Sequence, residues 1–122
     1  MKLLVIDDHE SVAQSIAMCL APDDIQVDCA LDGQSGLQIA LSNHPDVILL
    51  DIGLPDSNGF EVCRALKQET SLRSIPVVFI SGWGDQESRR KAAEAGGVSF
   101  VQKPFKMDEL KQLVFSLSRS EK

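Results

Sequence analysis

The sequence predicts an α/β fold built on a parallel sheet, and three observations carry that expectation. Four short apolar runs, Leu3-Leu4-Val5-Ile6, Val47-Ile48-Leu49-Leu50, Val77-Val78-Phe79-Ile80 and Val98-Ser99-Phe100-Val101, are bounded by turn residues. Runs of this kind fit buried parallel strands. Helical patterns alternate with them along the whole chain, which is the mark of a βαβ series. Charged and hydroxyl residues also follow the runs. Asp7 and Asp8 follow the first, Asp51 the second, Ser81 closes the third, and Lys103-Pro104 comes just after the fourth. Ligands of an open α/β sheet bind at the carboxyl ends of its strands. One sheet would therefore bring Asp7, Asp8, Asp51, Ser81 and Lys103 to one rim. Three carboxylates gathered there repel one another unless a cation joins them, so the pattern points to a hard divalent metal with oxygen ligands.

The elements follow in order. After Asp8, the residues Val12, Ile16, Cys19 and Leu20 recur at helical spacing and make a first helix, ended by Pro22-Asp23-Asp24. Ile25 to Cys29 alternates apolar with polar, which predicts a half-exposed strand at a sheet edge. Asp32-Gly33 opens a second helix with Leu37, Ala40 and Leu41 on one face, and Pro45 precedes the next strand. The loop after Asp51 carries Asp56, and Gly59 opens a third helix lined by Phe60, Cys63 and Leu66. Pro76 precedes the Val77 strand. A fourth helix, roughly residues 85 to 95, has a thin apolar face of Ala92, Ala93 and Ala95, and Gly96-Gly97 stops it. A helix that buries so little is weakly held. The last helix starts near Lys106 and turns Leu110, Leu113, Val114 and Leu117 to one side, with Asp108 and Glu109 in its first turn, where the helix dipole favours them. The tail from Ser118 onward is polar and expected to fray.

The length of 122 residues suits one domain spanning 1–122. No stretch is long and apolar enough to span a bilayer, and the start is too short and too soon acidic for a signal peptide. A net charge of −6 argues against a nucleic-acid-binding surface. Cys19, Cys29 and Cys63 lack metal-ligand spacing and read as reduced, packed thiols of a cytoplasmic protein. His9 and His44 read as ordinary surface residues, His9 flanking the acidic pair.

The ordered set VIDD, LLDIGLPDSNG, FISGW and FVQKPF resembles the receiver domain of response regulators, from Lys2 to the final helix. The resemblance implies a doubly wound five-stranded parallel sheet of order 2-1-3-4-5, in a flavodoxin-like three-layer fold with five helices. It implies a domain of two-component signalling that accepts a phosphoryl group from a partner phosphohistidine onto Asp51. The partner would be a histidine kinase or histidine phosphotransfer protein, and the cofactor Mg²⁺. Asp8, Asp51 and the backbone carbonyl of Gly53 would be metal ligands, with Asp7 acting through a metal-bound water. Ser81 and Lys103 would contact the phosphoryl group, Ser81 and Phe100 would be the switch pair, and the Lys103-Pro104 peptide would be cis. The switched face would be the fourth helix, fifth strand and fifth helix. It would control a downstream protein or a covalently linked output domain. Such a chain is a phosphoacceptor that assists its own turnover rather than an enzyme in the ordinary sense.

Taken singly, each residue has a plainer use. Asp7 and Asp8 fit helix caps, Asp51 and Ser81 fit turns, Lys103 fits the surface and Phe100 the core. Their joint occurrence in this order favours the site. Two alternatives remain on a similar sheet. A flavin carrier needs a Ser/Thr/Gly-rich phosphate loop where this chain has Asp7-Asp8-His9-Glu10. An aspartyl-phosphate phosphatase usually carries a second Asp where this chain has Gly53. Gly53 and the bulky Trp83 also bear on how water would reach an acyl phosphate, and the small Gly82 leaves a donor an open approach.

Overall fold

β1 (Lys2–Ile6) lies second from one edge of a five-stranded sheet, with β2 (Gln26–Ala30) on one side and β3 (Val47–Asp51) on the other. β4 (Val77–Ser81) and β5 (Ser99–Gln102) follow outward from β3, so the order is β2-β1-β3-β4-β5 and every pairing is parallel. The five helices are α1 (Glu10–Leu20), α2 (Gly33–Asn43), α3 (Gly59–Gln68), α4 (Gln86–Ala95) and α5 (Met107–Arg119). The computed structural model describes residues 1–82 and 84–119, without the Arg119 side chain. The expectations placed on Trp83 and on the end of the polar tail lie outside the described residues.

Alternation along the strands divides the core in two. Leu4, Ile6, Ile48, Leu50, Val77 and Phe79 face one layer with α2, α3 and α4. Leu3, Val5, Val47, Leu49, Val78 and Ile80 face the other with α1 and α5. β1, β3 and β4 are almost wholly covered on both faces, which is why they read as continuous apolar runs. β2 is the half-exposed edge that its alternation predicts.

The helix starts are chemically specified. The Asp32 side chain accepts from Ser35 N–H at 2.7 Å to cap α2, and Asn58 accepts from Glu61 N–H at 2.9 Å to cap α3. Asp56 accepts from Gly33 and Gln34 N–H at 2.9 and 3.0 Å, which ties the loop after β3 to the start of α2. Those backbone bonds hold its carboxyl below the usual range. Gly59 must be small, because a Cβ there would strike the Asp51 carbonyl oxygen and sit 2.9 Å from Ile52 Cα. Its N–H donates to Ile52 O at 2.7 Å and closes the same loop. Gly96 ends α4 with φ of 114°, a conformation that favours glycine.

Several expectations need correction. Val98 lies outside β5 and is 55% exposed, and Ser99, Phe100 and Val101 are only half-buried. β5 is an edge strand paired only with β4, so it lacks the cover that its apolar run implied. Cys19 and Cys29 are exposed, and only Cys63 is a packed thiol. On α1 the core takes Ala13, Ile16 and Leu20, a phase that leaves Cys19 outside. Leu41 is 38% exposed, because α2 buries Gly33, Gly36 and Ala40 instead. On α4 only Ala92 and Ala95 are buried, and Ala93 points outward.

Candidate functional site

Asp7 follows the last residue of β1 and is fully buried. Its backbone N–H donates to Ala30 O at 3.0 Å, which extends the β1–β2 pairing by one residue and points the chain into the rim. The two carboxylate oxygens have different partners. Oδ1 accepts from His9 N–H at 2.9 Å, and Oδ2 lies 2.9 Å from Lys103 Nζ. Asp51 ends β3 and is also buried, with its Oδ2 at 3.3 Å from the same ammonium. Asp8 stands beside them with its side chain 37% exposed.

Lys103 arrives from the end of β5. Its N–H donates to Ser81 O at 2.7 Å, so the ends of β4 and β5 are joined where the lysine turns over the rim. The Lys103-Pro104 peptide is cis, as expected. Ser81 is buried at the end of β4. Phe100 lies on β5 beside Phe79, half-buried, with the Arg89 guanidinium over its ring. Gly53 is joined to Asn58 by an isolated antiparallel bridge, and a Cβ on it would meet nothing within 4 Å.

The electrostatics follow from burial and like charge. Burial, then the Asp7 carboxylate, pushes the Asp51 carboxyl above its usual range, and Lys103 pulls back without cancelling them. Burial works to lower the Lys103 ammonium, but its hydrogen bond to Asp7 and the charges of Asp51 and Asp7 outweigh it and leave it raised. One ammonium thus serves two buried carboxylates, with a third beside them.

The donor chemistry fits a hard divalent cation. One ligand atom each from Asp7, Asp8, His9 and Asp51 lies within 4.8 Å of the others. Carboxylate oxygens at this spacing suit Mg²⁺, which takes oxygen donors and retains waters. The rim therefore gathers Asp7, Asp8, Asp51 and Lys103 directly, with Ser81 tied to Lys103 through the backbone.

Two residues were missed or set aside in the sequence. His9 belongs to the rim, its Nδ1 lying 3.2 Å from both Asp7 Oδ1 and Asp8 Oδ1. Its position directly after the acidic pair was the available signal. Arg89 was not singled out, since nothing in a charged helix marks which residue meets Phe100. His44 is exposed and caps the end of α2 in a left-handed conformation, with φ of 49°.

A doubly wound sheet of this order with an acidic rim and one lysine defines a receiver-type signalling module. The chain matches the response regulator receiver domain model over residues 3–115 and belongs to that family. It is 35% identical over 108 residues to response regulator ArlR of Staphylococcus haemolyticus, covering 88% of this chain and 48% of that protein. The chain thus spans about half the length of the curated relatives it matches. Among solved structures it is similar to the receiver domain of Francisella response regulator 1452, with a TM-score of 0.91 and 29% identity, covering 99% and 98% of the two chains. It is also similar to chemotaxis protein CheY4 of Vibrio cholerae, with a TM-score of 0.89 and 25% identity, covering 95% and 97%. The family match leaves the flavin-carrier and phosphatase readings without support. Among the described residues, no helix is long and apolar enough to cross a membrane.

Proposed function

We propose that Asp51 accepts a phosphoryl group from a phosphohistidine on a histidine kinase or histidine phosphotransfer protein. The observation that carries this is the Lys103 ammonium held between buried Asp7 and Asp51. A carboxylate at the rim with an ammonium beside it is a nucleophile next to a ready charge for an incoming anion. An Asp51 carboxylate oxygen forms the new bond to phosphorus as the nitrogen–phosphorus bond of the donor breaks. The departing imidazole keeps the electron pair and takes a proton. Asp8, Asp51 and the Gly53 carbonyl would hold Mg²⁺, with Asp7 acting through a water. When bound, Mg²⁺ neutralises charge on the phosphoryl oxygens and favours the ionised carboxylates. Lys103 turns its ammonium to one phosphoryl oxygen, and the Ser81 hydroxyl donates to another.

The output follows from where these residues sit. A shift of Ser81 toward the phosphoryl group opens space behind it, and Phe100 turns inward to fill that space. α4 is held to the core by Ala92 and Ala95 alone among the described residues, so its movement costs little buried surface. The α4–β5–α5 face then changes shape for a downstream protein or a linked output domain. The setting this implies is cytoplasmic, and the acidic chain is not expected to touch nucleic acid directly.

Mass spectrometry after treatment with acetyl phosphate and Mg²⁺ tests the reading. One phosphoryl group should appear on Asp51, and chelating the metal should abolish it. Equal labelling of Asp51→Asn at another residue would refute the assignment.

A further inference from the structure

His9 occupies the N-cap of α1, yet its side chain caps nothing. The ring is 65% exposed, so core packing does not dictate its place. A backbone bond does. His9 N–H donates to Asp7 Oδ1 at 2.9 Å, which folds the chain back and brings the ring over the rim. There Nδ1 lies 3.2 Å from Asp7 Oδ1 and 3.2 Å from Asp8 Oδ1. Asp7 divides its oxygens between the two sides, Oδ1 toward His9 and Asp8, and Oδ2 toward Lys103. A cation on the His9 side would therefore leave the Lys103 contact in place.

We propose that His9 is a nitrogen ligand of this rim, and that it makes the site favour a first-row transition cation such as Mn²⁺ over Mg²⁺. The inference rests on the metal-site reading above. Mg²⁺ is hard, demands near-ideal octahedral geometry and keeps its waters, so an imidazole adds little to its binding. First-row divalent ions accept an imidazole nitrogen beside carboxylate oxygens more readily than Mg²⁺ does, with Mn²⁺ the weakest of the series. The neutral ring would bind through Nδ1, with the proton on Nε2 facing solvent. The imidazole would then join Asp8, Asp51 and the Gly53 carbonyl, with Asp7 still acting through a water; candidate atoms of Asp7, Asp8, His9 and Asp51 lie within 4.8 Å of one another.

The test uses the whole chain and the metal ions alone. Dissociation constants for Mg²⁺ and Mn²⁺ are measured by calorimetric titration for the native protein and for His9→Phe, which keeps an exposed ring and removes the ligand. Mn²⁺ affinity should fall about tenfold in the variant while Mg²⁺ affinity stays within about twofold. The pulsed electron spin resonance of Mn²⁺ bound to the native protein should show nitrogen modulation, a signal that does not depend on how the variant folds. An unchanged Mn²⁺ to Mg²⁺ ratio, or bound Mn²⁺ without nitrogen modulation, would overturn the role of His9 and leave the metal site standing. Failure of the native protein to bind either ion would overturn both.

Discussion

The guanidinium carbon of Arg89 lies 4.7 Å from the centroid of the Phe100 ring. Arg89 Nε also donates to Gly84 O at 3.1 Å. One side chain of α4 thus ties the loop after β4 to the aromatic ring of β5. Cation–π contacts of this exposure contribute about 0.5–1 kcal/mol. Arg89→Ala should lose about that much stability against urea, and the Phe100 ring resonances should broaden or shift. Unchanged midpoints and spectra would mean that the contact does not restrain Phe100.

Lys103→Ala removes the one ammonium among the described residues that meets Asp7 and Asp51. Asp7 is fully buried, so the variant leaves its Oδ2 without the ammonium. The fold should survive with a loss of about 1–3 kcal/mol in metal-free buffer. Mg²⁺ should then raise the melting temperature of the variant more than that of the native protein, because the ion replaces the missing charge. Equal gains in both proteins would separate Lys103 from the metal. A variant that still switches the α4–β5–α5 face normally on phosphorylation would remove Lys103 from the coupling.

The raised Asp51 carboxyl has a definite pH consequence. Its folded value lies above the ordinary 3.8, so the native state binds this proton more tightly than the unfolded chain does. Stability from this group is present below 3.8 and is lost as pH rises through the folded value. Asp51→Asn should therefore be more stable than the native protein at neutral pH without metal. That advantage should shrink as acid carries the native protein down through the window. A constant difference between the two urea midpoints across acidic and neutral pH would contradict it. Acid should also weaken Mg²⁺ binding in the same window, since protons compete for Asp51.

Cysteine labelling checks the corrected burial. Burial pushes the Cys63 thiol up to about 11, so it should resist iodoacetamide at mildly alkaline pH in the native state. Cys19 and Cys29 are exposed and should both be modified. Cys63 should react only when the chain unfolds, as read by peptide mass mapping. Fast native labelling of Cys63 would show that α3 opens readily.

The sheet and most of its rim were legible because strand ends are marked in sequence. Asp7, Asp51 and Ser81 each sit where an apolar run stops, and parallel topology brings such ends together. Lys103 was legible for the same reason, although its pairing with Asp7 spans 96 positions. Contacts set by helix phase and loop curvature were harder to read. Cys19 adjoins buried Leu20, and a small rotation of α1 decides which of them faces the sheet. Val98 belongs to an apolar run but precedes an edge strand that few residues cover. His9 needed the hydrogen bond from its own N–H back to Asp7 before its ring could be placed. Arg89 meets Phe100 only through the packing of α4 on β5, and no local pattern records that.

The small anchorage of α4 reaches beyond motion. Its core contribution is two alanines, so apart from Arg89 its outward residues carry little obligation to the fold. Arg90, Glu94, Glu87 and Lys91 form i,i+4 ion pairs on that surface, contacts that substitutions can redraw in many combinations. A lineage could therefore rewrite this surface for a new binding companion while the acidic rim and both packed layers stay as they are. The cost of exploring new specificities would fall on charge pattern rather than on foldability, and drift should accumulate here faster than on α3, which buries Val62, Cys63 and Leu66.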